Sequence, residues 1–163
     1  WGGNVSPMIL ERLSREPYRL TMRRGSARIG TVPDAVQVGP KVCLINKYSA
    51  SDGDLFPWGF RALGLGKLIG TRTWGGIVGI SGSLPYMDGT DIRVPFFTSF
   101  DPKTGSWIIE NHGVDPDILI DNDPVKEWNG EDQQLDRAIQ EVMKELQNRK
   151  PLPGVPTPRD FSK

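Results

Sequence analysis

The segment that most constrains the fold covers residues 41–65 and joins a short apolar run to an amphipathic run through a polar loop. The apolar run KVCLIN has the length of a strand that is covered on both faces. After the loop NKYSASDGD, the segment DLFPWGFRALG carries apolar residues at positions 55, 56, 60 and 63, which is helical spacing. Strand, polar turn and helix in this order predict a βα unit, the repeating element of α/β domains.

Helical spacing marks two further segments. An apolar period behind Asn4 predicts a helix over residues 5–14, with Asn4 as its N-cap. A longer helix is predicted over residues 131–150, where acidic residues open the segment, basic residues close it and Pro151 stops it. The apolar stripe of this helix consists of Leu135, Ala138, Ile139, Val142, Met143 and Leu146.

Short extended segments fill most of the remainder. Residues 18–24 and 27–32 are predicted as two short strands. In residues 67–123, the segments KLIGTRTW, GIVGIS, IRVPFFTSF and SWIIEN predict a sheet region, with a tight turn at DPKTGS between the last two. A length of 163 residues suits one domain. We therefore expect one α/β domain over residues 1–150 and a Pro-rich extended arm over residues 151–163.

The composition argues against several classes of partner. Lys plus Arg and Asp plus Glu number 20 each, and a formal net charge of 0 does not favour nucleic acid or an anionic membrane. No apolar run is long enough to span a membrane and no signal-peptide pattern opens the chain, so the compartment stays open between cytoplasm, which is favoured, and periplasm. The segments DGTD and DNDP lack the length and closing Glu of a calcium loop and are predicted as turns. No zinc spacing is present either, so neither metal nor cofactor is expected.

Cysteine and arginine usage add two smaller expectations. Cys43 lies within the apolar run KVCLIN and is predicted to be a small core residue rather than a reactive thiol. A run of arginines predicts either a basic strip on one face or a solvated surface with scattered partners. It consists of Arg15, Arg19, Arg23, Arg24 and Arg28.

Candidate catalytic residues lie at the strand-to-helix turn. A serine held there projects from a rigid turn, and the N–H groups at the helix start can stabilise an oxyanion. The same loop is also consistent with a plain turn whose side chains cap the helix. Gly2 and Gly3 form a second set of donors, because glycine lets the backbone approach a ligand closely. His112, the only histidine, is either the base of a triad with Ser51 and Glu110 or a structural hydrogen-bonding group.

Four pieces of the sequence, in this order and spacing, resemble the tricorn protease group within the C-terminal-processing serine peptidase family. They are GGN followed by a helix, NKYSASDGD, GTRTWGG and ENHGVDPDI, and the resemblance covers residues 1 to about 148. It implies a crotonase-like or C-terminal-processing-protease-like α/β fold of stacked βα units with a long C-terminal helix. It also implies a serine endopeptidase or oligopeptidase that works by acyl transfer and takes a peptide or protein substrate.

The resemblance also assigns roles to individual residues. It implies that Ser51 is the nucleophile and that the oxyanion hole uses the backbone N–H groups of Asp52 and of Gly2 or Gly3. Glu110 matches the acid that supports the catalytic base through a bridging serine. The substrate path is implied to run along the TWGG hairpin, at Trp74, Gly75 and Gly76.

The same resemblance implies parts that this sequence does not carry. The base histidine and the bridging serine belong upstream of the Gly-rich loop, together with a PDZ-like domain, so we expect this catalytic subdomain to be weak or inactive by itself. His112 is then structural, and the complete protein is expected to form homo-oligomers. The acid that sets a basic preference in the family has no match in LTMRRGS. Arg23 or Arg24 is a candidate for binding carboxylate-bearing peptides instead.

Two other functions stay open at the level of the sequence. One is a non-catalytic peptide-binding or scaffolding domain of the same fold. The other is a hydrolase of small esters or acyl groups with His112 as the base. The joint presence of Ser51, the Gly loop and Glu110 favours catalysis, because a binding groove has no need of an acid that supports a base.

Overall fold

A computed structural model describes residues 2–82 and 85–157. The described residues contain eleven helices and strands, and most of the strands follow one another without a helix between them. They are α1 (Ser6–Ser14), β1 (Arg19–Met22), β2 (Ile29–Val32), β3 (Val42–Ile45), α2 (Asp52–Ala62), β4 (Lys67–Gly70), β5 (Gly79–Ser81), β6 (Val94–Phe97), β7 (Ile118–Leu119), α3 (Pro124–Trp128) and α4 (Gln133–Gln147).

The centre of the fold is a small parallel sheet with strand order β3–β4–β7. Its register pairs Val42 with Lys67 and Ile69 with Ile118. Helix α2 connects β3 to β4, so the predicted strand, turn and helix unit is confirmed. Helices α1 and α2 pack together, while α4 packs against β3 and β4. The buried core cluster consists of Leu10, Ile45, Phe60, Leu68 and Val114.

Two antiparallel hairpins extend from this centre. Strands β1 and β2 pair with Arg19 opposite Val32 and Met22 opposite Ile29, which confirms both predicted strands. Strands β5 and β6 form the second hairpin, which has an irregular register next to Gly79. All four residues of β6 are exposed. The turn predicted at DPKTGS is confirmed by the amide of Asp101, which donates to the Ser106 carbonyl.

The sheet region is more broken than its alternating pattern predicts. The predicted strand KLIGTRTW ends at Gly70, and the segment that follows is irregular. The predicted strand SWIIEN is wrong, because it contributes only an isolated bridge from Trp107 to Phe100. The expectation that KVCLIN is covered on both faces is also wrong, because β3 lies at the edge of the sheet and Leu44 is 43% exposed.

Both predicted terminal helices are present, with corrected boundaries and caps. Asn4 is not the N-cap of α1: Val5 occupies that position, and a carboxylate from α2 caps the helix instead. The segment DNDP is not a plain turn, because Asp123 accepts hydrogen bonds from the amides of Val125 and Lys126 and begins α3. Helix α4 begins after the cap Asp132 and its last residue is Gln147.

The buried face of α4 carries a charged residue as well as an apolar one. Ala138 and Glu141 are buried, whereas Leu135, Ile139, Met143 and Leu146 of the predicted stripe are each more than 40% exposed. The Glu141 carboxylate accepts from Lys67 Nζ at 2.6 Å and pairs with Arg137 at 2.7 Å. The hydrogen bond from Lys67 is the main cause that lowers the pKa of Glu141, and the same bond raises the pKa of Lys67. This ion cluster attaches α4 to β4.

The C-terminal arm follows α4 without regular structure over residues 151–157, and residues 158–163 lie outside the described part of the chain. Its residues Pro153 to Pro156 line a cavity of about 370 Å³ together with the β1–β2 hairpin. Within the described ranges, no helix combines the length and the apolar character needed to cross a membrane.

Candidate active site

Ser51 lies at the N-cap position of α2 in an unusual backbone conformation. Its φ of +56° and ψ of −117° belong to a region that is costly for any residue with a side chain. Its backbone N–H donates to the Gly76 carbonyl at 3.1 Å. The side chain makes no capping bond, and Oγ has no hydrogen-bond partner among residues 2–82 and 85–157. The interpretation of Ser51 as a helix-capping side chain is therefore wrong, and its hydroxyl is free to react.

The Gly-rich loop lies directly against this serine. A Cβ atom added to Gly2 would lie 2.8 Å from Ser51 Cβ and 3.0 Å from Ser51 Oγ, so a side chain at residue 2 would collide with the candidate nucleophile. Gly3 has a φ of +149°. Gly2 therefore places backbone beside Ser51, which is the arrangement that an oxyanion hole requires.

Asp52 fixes the position of that loop. Its buried carboxylate accepts hydrogen bonds from the amides of Val5 and Ser6, each at 3.0 Å, and from the Ser6 hydroxyl. The carboxylate thus caps α1 from outside that helix. It supplies hydrogen-bond acceptors to amides that have no partner within the helix. The residue next to the candidate nucleophile therefore connects α2 to α1.

The three amides predicted as oxyanion-hole donors are unpaired in the described residues. The N–H groups of Gly2, Gly3 and Asp52 donate to no acceptor in the described part of the chain. For Asp52 this follows from its place in the first turn of α2, where amides have no intrahelical partner. Free donors at a helix start stabilise negative charge. The role of these amides in an oxyanion hole stays a prediction.

Two carboxylates hold the segment on the other side of Ser51. Asp54, which is fully buried, accepts from the amides of Gly75 at 2.8 Å and Gly76 at 3.2 Å. Glu110 accepts from the next two amides, those of Ile77 at 2.7 Å and Val78 at 2.9 Å. Four consecutive N–H groups are therefore bound to side chains rather than to a strand. These bonds hold residues 75–78, which follow the predicted strand KLIGTRTW, in an irregular segment.

This segment also joins the Ser51 loop to the turn that holds His112. The Trp74 amide donates to the Ser49 carbonyl at 2.9 Å. On the other side, Asn111 donates to the Gly75 carbonyl at 2.7 Å, and a Cβ on Gly75 would lie 2.4 Å from the Gly113 nitrogen. The segments predicted to form the site are therefore in contact, and the position of the Ser51 backbone depends on all of them.

His112 does not contact Ser51. Its Nε2 lies 2.8 Å from an Asp115 carboxylate oxygen, and the side chains of both residues are more than half exposed. A surface pair three residues apart is a structural feature of the turn. The geometry favours the structural interpretation of His112 over a triad with Ser51.

Other sequence expectations concern residues outside this cluster. Cys43 is half-buried against the core, and burial raises the pKa of its thiol to about 11, so the thiol is protonated at neutral pH. Arg23 and Arg24 lie in the connection between β1 and β2 and are exposed. Within the described residues, no group of three or more His, Cys, Asp or Glu side chains is arranged to hold a metal ion.

One positioning group was missed by the sequence analysis. Asp54 lies three residues after Ser51, and its acidic character in the first turn of α2 predicts only a helix-dipole contact. Its actual partners are 21 and 22 residues further along the chain. No local pattern contains that information.

A serine in a strained strand-to-helix turn with unpaired amides at the helix start is an arrangement that serine-type hydrolases use. The family model of peptidase family S41 matches residues 2–120. Tricorn protease of Thermoplasma volcanium is 42% identical over 152 residues, which are 91% of this chain and 14% of that protein. The crystal structure of the tricorn protease superposes with a TM-score of 0.82 at 40% identity, covering 90% of this chain and 14% of that one.

The chain belongs to peptidase family S41, a family of serine-type peptidases, and it matches the tricorn proteases over most of its length. It spans only about 14% of the length of these relatives. A photosystem II D1 C-terminal processing protease shares the fold, with a TM-score of 0.51 at 23% identity over 74% of this chain and 32% of that one. The predicted α/β fold of C-terminal-processing-protease type is therefore confirmed.

Proposed function

We propose that this chain is the catalytic subdomain of a tricorn-type serine peptidase and carries the nucleophile Ser51 and its oxyanion hole. The Ser51 Oγ attacks the carbonyl carbon of a peptide bond and passes its proton to a base. The base returns that proton to the leaving amine, and an acyl-enzyme remains on Ser51. Water then attacks the acyl carbon, which releases the second product and restores the serine hydroxyl.

The observation that carries this proposal is the state of Ser51. A serine at a helix start ordinarily caps the helix with its side chain. Here it has a φ of +56°, its hydroxyl is unpaired in the described residues, and Gly2 leaves the space beside Oγ open. Strained backbone that the surrounding hydrogen bonds maintain is a feature of functional sites. We assign the N–H of Asp52 and that of Gly2 or Gly3 to the oxyanion hole, since all three are unpaired there.

We assign Glu110 to the support of the catalytic base. Its carboxylate accepts from the Ile77 amide, which belongs to the same peptide group as the Gly76 carbonyl that accepts the Ser51 N–H, so one peptide group connects Glu110 to the Ser51 backbone. As the resemblance to tricorn proteases implies, the base is a histidine from outside residues 1–163; His112 is paired with Asp115 instead. The peptide substrate runs along Trp74, Gly75 and Gly76. The domain comprises residues 1–150, with residues 151–163 as an arm.

The test is covalent labelling by a fluorophosphonate, which modifies activated serines, followed by intact mass. The complete protein that carries this sequence is compared with residues 1–163 alone. Ser51→Ala is compared with Ser49→Ala, a matched control because the Ser49 hydroxyl only accepts a bond from the Asn46 amide. We expect labelling of the complete protein that Ser51→Ala abolishes and Ser49→Ala retains, with little labelling of the isolated chain.

Two results would contradict this proposal in different ways. Equal labelling of the isolated chain would show that its base lies within residues 1–163 and would return His112 to that role. No labelling of either form, with peptide binding retained, would favour the non-catalytic peptide-binding or scaffolding domain.

A further inference from the structure

A cavity of about 230 Å³ lies one residue from Ser51. It is lined by Lys47, Tyr48, Ala50 and Trp74. Ala50 is the chain neighbour of the candidate nucleophile, so whatever fills this cavity lies beside the reacting bond. The cavity is distinct from the oxyanion hole, because its lining contains neither Gly2 nor Asp52.

Backbone contacts hold the indole of Trp74 in place. The Trp74 amide donates to the Ser49 carbonyl at 2.9 Å, which attaches it to the Ser51 loop. A Cβ added to Gly76 would lie 2.0 Å from Cζ3 of Trp74, so the ring lies over the Gly76 backbone in space that only glycine leaves open. The indole nevertheless stays largely exposed, as the residue is 66% exposed. A positioned aromatic wall facing solvent is typical of a binding surface.

Tyr48 and Lys47 form the opposite side. Lys47 Nζ lies 5.4 Å from the centre of the Tyr48 ring, within the range of a cation–π contact. Tyr48 is 68% exposed. Ala50 and the two aromatic rings thus form the walls of the cavity, and the Lys47 ammonium adds a positive charge. No carboxylate lines the cavity.

We propose that this cavity is a subsite for a large apolar side chain, preferably aromatic, next to the scissile bond of the peptide substrate. The inference rests on the proposed peptidase function and adds a substrate class to it. An apolar cavity of about 150 Å³ holds a benzene molecule, so about 230 Å³ accommodates an aromatic side chain. The Lys47 ammonium repels a Lys or Arg side chain at the same substrate position, because like charges are unfavourable at close range.

The position of the cavity beside Ser51 favours a substrate side chain as its occupant. Ala50 connects its wall directly to Ser51, and the TWGG segment that supplies Trp74 also holds the Ser51 backbone through Gly76. A side chain in this cavity is therefore in register with the reacting carbonyl. Binding energy from such a group raises kcat/KM when it holds the reacting bond in place.

The test measures kcat/KM of the complete protein on peptides that differ at one position beside the cleaved bond, with Phe, Ala or Lys there. The variants are Trp74→Ala and Tyr48→Ala, with Trp128→Ala and Tyr18→Ala as matched controls that are 90% and 77% exposed. We expect the wild type and both controls to prefer the Phe peptide. The two cavity variants lose that preference by at least about tenfold, the scale on which an apolar pocket discriminates.

Charge reversal at the rim is the second arm. Lys47→Glu raises kcat/KM for the Lys peptide relative to the Phe peptide, and the change weakens as ionic strength rises. Lys103→Glu, in the exposed turn at DPKTGS, leaves the ratio unchanged.

Fluorophosphonate labelling of Ser51 in every variant separates the outcomes. A labelled, active wild type whose Phe to Ala ratio is unaltered in Trp74→Ala and Tyr48→Ala overturns the subsite and leaves the peptidase standing. A wild type that is neither labelled nor able to cleave overturns both. If Trp74→Ala is not labelled because the TWGG segment has moved, Tyr48→Ala decides the result alone. The Tyr48 ring is exposed and its cation–π contact is with Lys47, so its removal should leave the TWGG segment in place.

Discussion

Replacing Asp54 by Ala is expected to be among the most damaging changes near the site that touch no substrate. The wild-type carboxylate is fully buried and binds the amides of Gly75 and Gly76. Its removal leaves the buried Gly75 N–H and the half-buried Gly76 N–H without an acceptor. An unsatisfied buried group costs about 1–3 kcal/mol, so we expect the free energy of unfolding to fall by about 3–5 kcal/mol.

The conservative variant Asp54→Asn gives an intermediate result. Its amide oxygen retains one of the two acceptors, while its NH₂ group faces the second backbone N–H. We therefore expect stability in the order wild type, Asp54→Asn, Asp54→Ala. The assay is thermal unfolding of residues 1–163 followed by circular dichroism. For a chain of this size, about 1 kcal/mol shifts Tm by about 2–4 °C, so the Ala variant should unfold about 6–20 °C below the wild type.

The matched control is Asp88→Ala. Asp88 also accepts two hydrogen bonds, from the amide and the hydroxyl of Thr90, but both residues are exposed. Water replaces these bonds when the carboxylate is removed, so the loss of stability should be much smaller than for Asp54→Ala. An Asp54→Ala variant whose free energy of unfolding is no lower than that of Asp88→Ala would refute this reasoning. Burial of the two glycine amides would then not make their bonds to Asp54 important for stability.

Three further substitutions follow from the same contacts. Glu141→Gln should lower the free energy of unfolding at neutral pH, because Lys67 depresses the pKa of Glu141 in the folded protein. The stability that the ionised Glu141 contributes is present above its unfolded pKa of about 4.3 and is lost as the pH falls through its folded pKa. Urea titrations of the two proteins should therefore converge in acid. Gly113→Ala should lower the free energy of unfolding by about 1–3 kcal/mol more than Gly130→Ala. The new Cβ at residue 113 would lie 2.2 Å from a backbone carbonyl oxygen, whereas Gly130 has a φ of the same sign and open space around it. Equal losses of stability in thermal unfolding would exclude the clash. Ser51→Gly should raise stability by about 1–3 kcal/mol through relief of its positive φ and abolish labelling, whereas Ser51→Ala should abolish labelling only.

The sequence predicted the local parts of this fold well. The βα unit around Ser51 and the helix that ends near Pro151 follow from periodicity and from helix start and stop signals, which act between close neighbours. The first hairpin was predicted for the same reason. The fold of the family could be predicted only through resemblance, because the order of strands β3, β4 and β7 depends on contacts that no local pattern specifies.

The failures share a cause, which is that acidic side chains bind backbone far away in the sequence. Asn4 was expected to cap α1, but the carboxylate of Asp52 does so from 46 and 47 residues away. The segment that follows KLIGTRTW is likewise held by distant carboxylates, which accept the amides of Gly75 and Ile77. Propensity and periodicity describe neighbours along the chain, so they cannot anticipate such partners. The bonds that override the local pattern are concentrated around the candidate site.

This concentration explains how Ser51 stays uncapped. A loop of sequence SASDGD offers acceptors that ordinarily bind the amides at the start of their own helix. Here the Asp52 carboxylate binds α1 and the Asp54 carboxylate binds the TWGG segment, so both side chains are directed away from the start of α2. The amide of Asp52 consequently keeps no partner in the described residues, and the Ser51 hydroxyl is free as well. The two acids that follow the serine thus fix the neighbouring segments, and the Asp52 amide and the Ser51 hydroxyl are left without partners in the described residues.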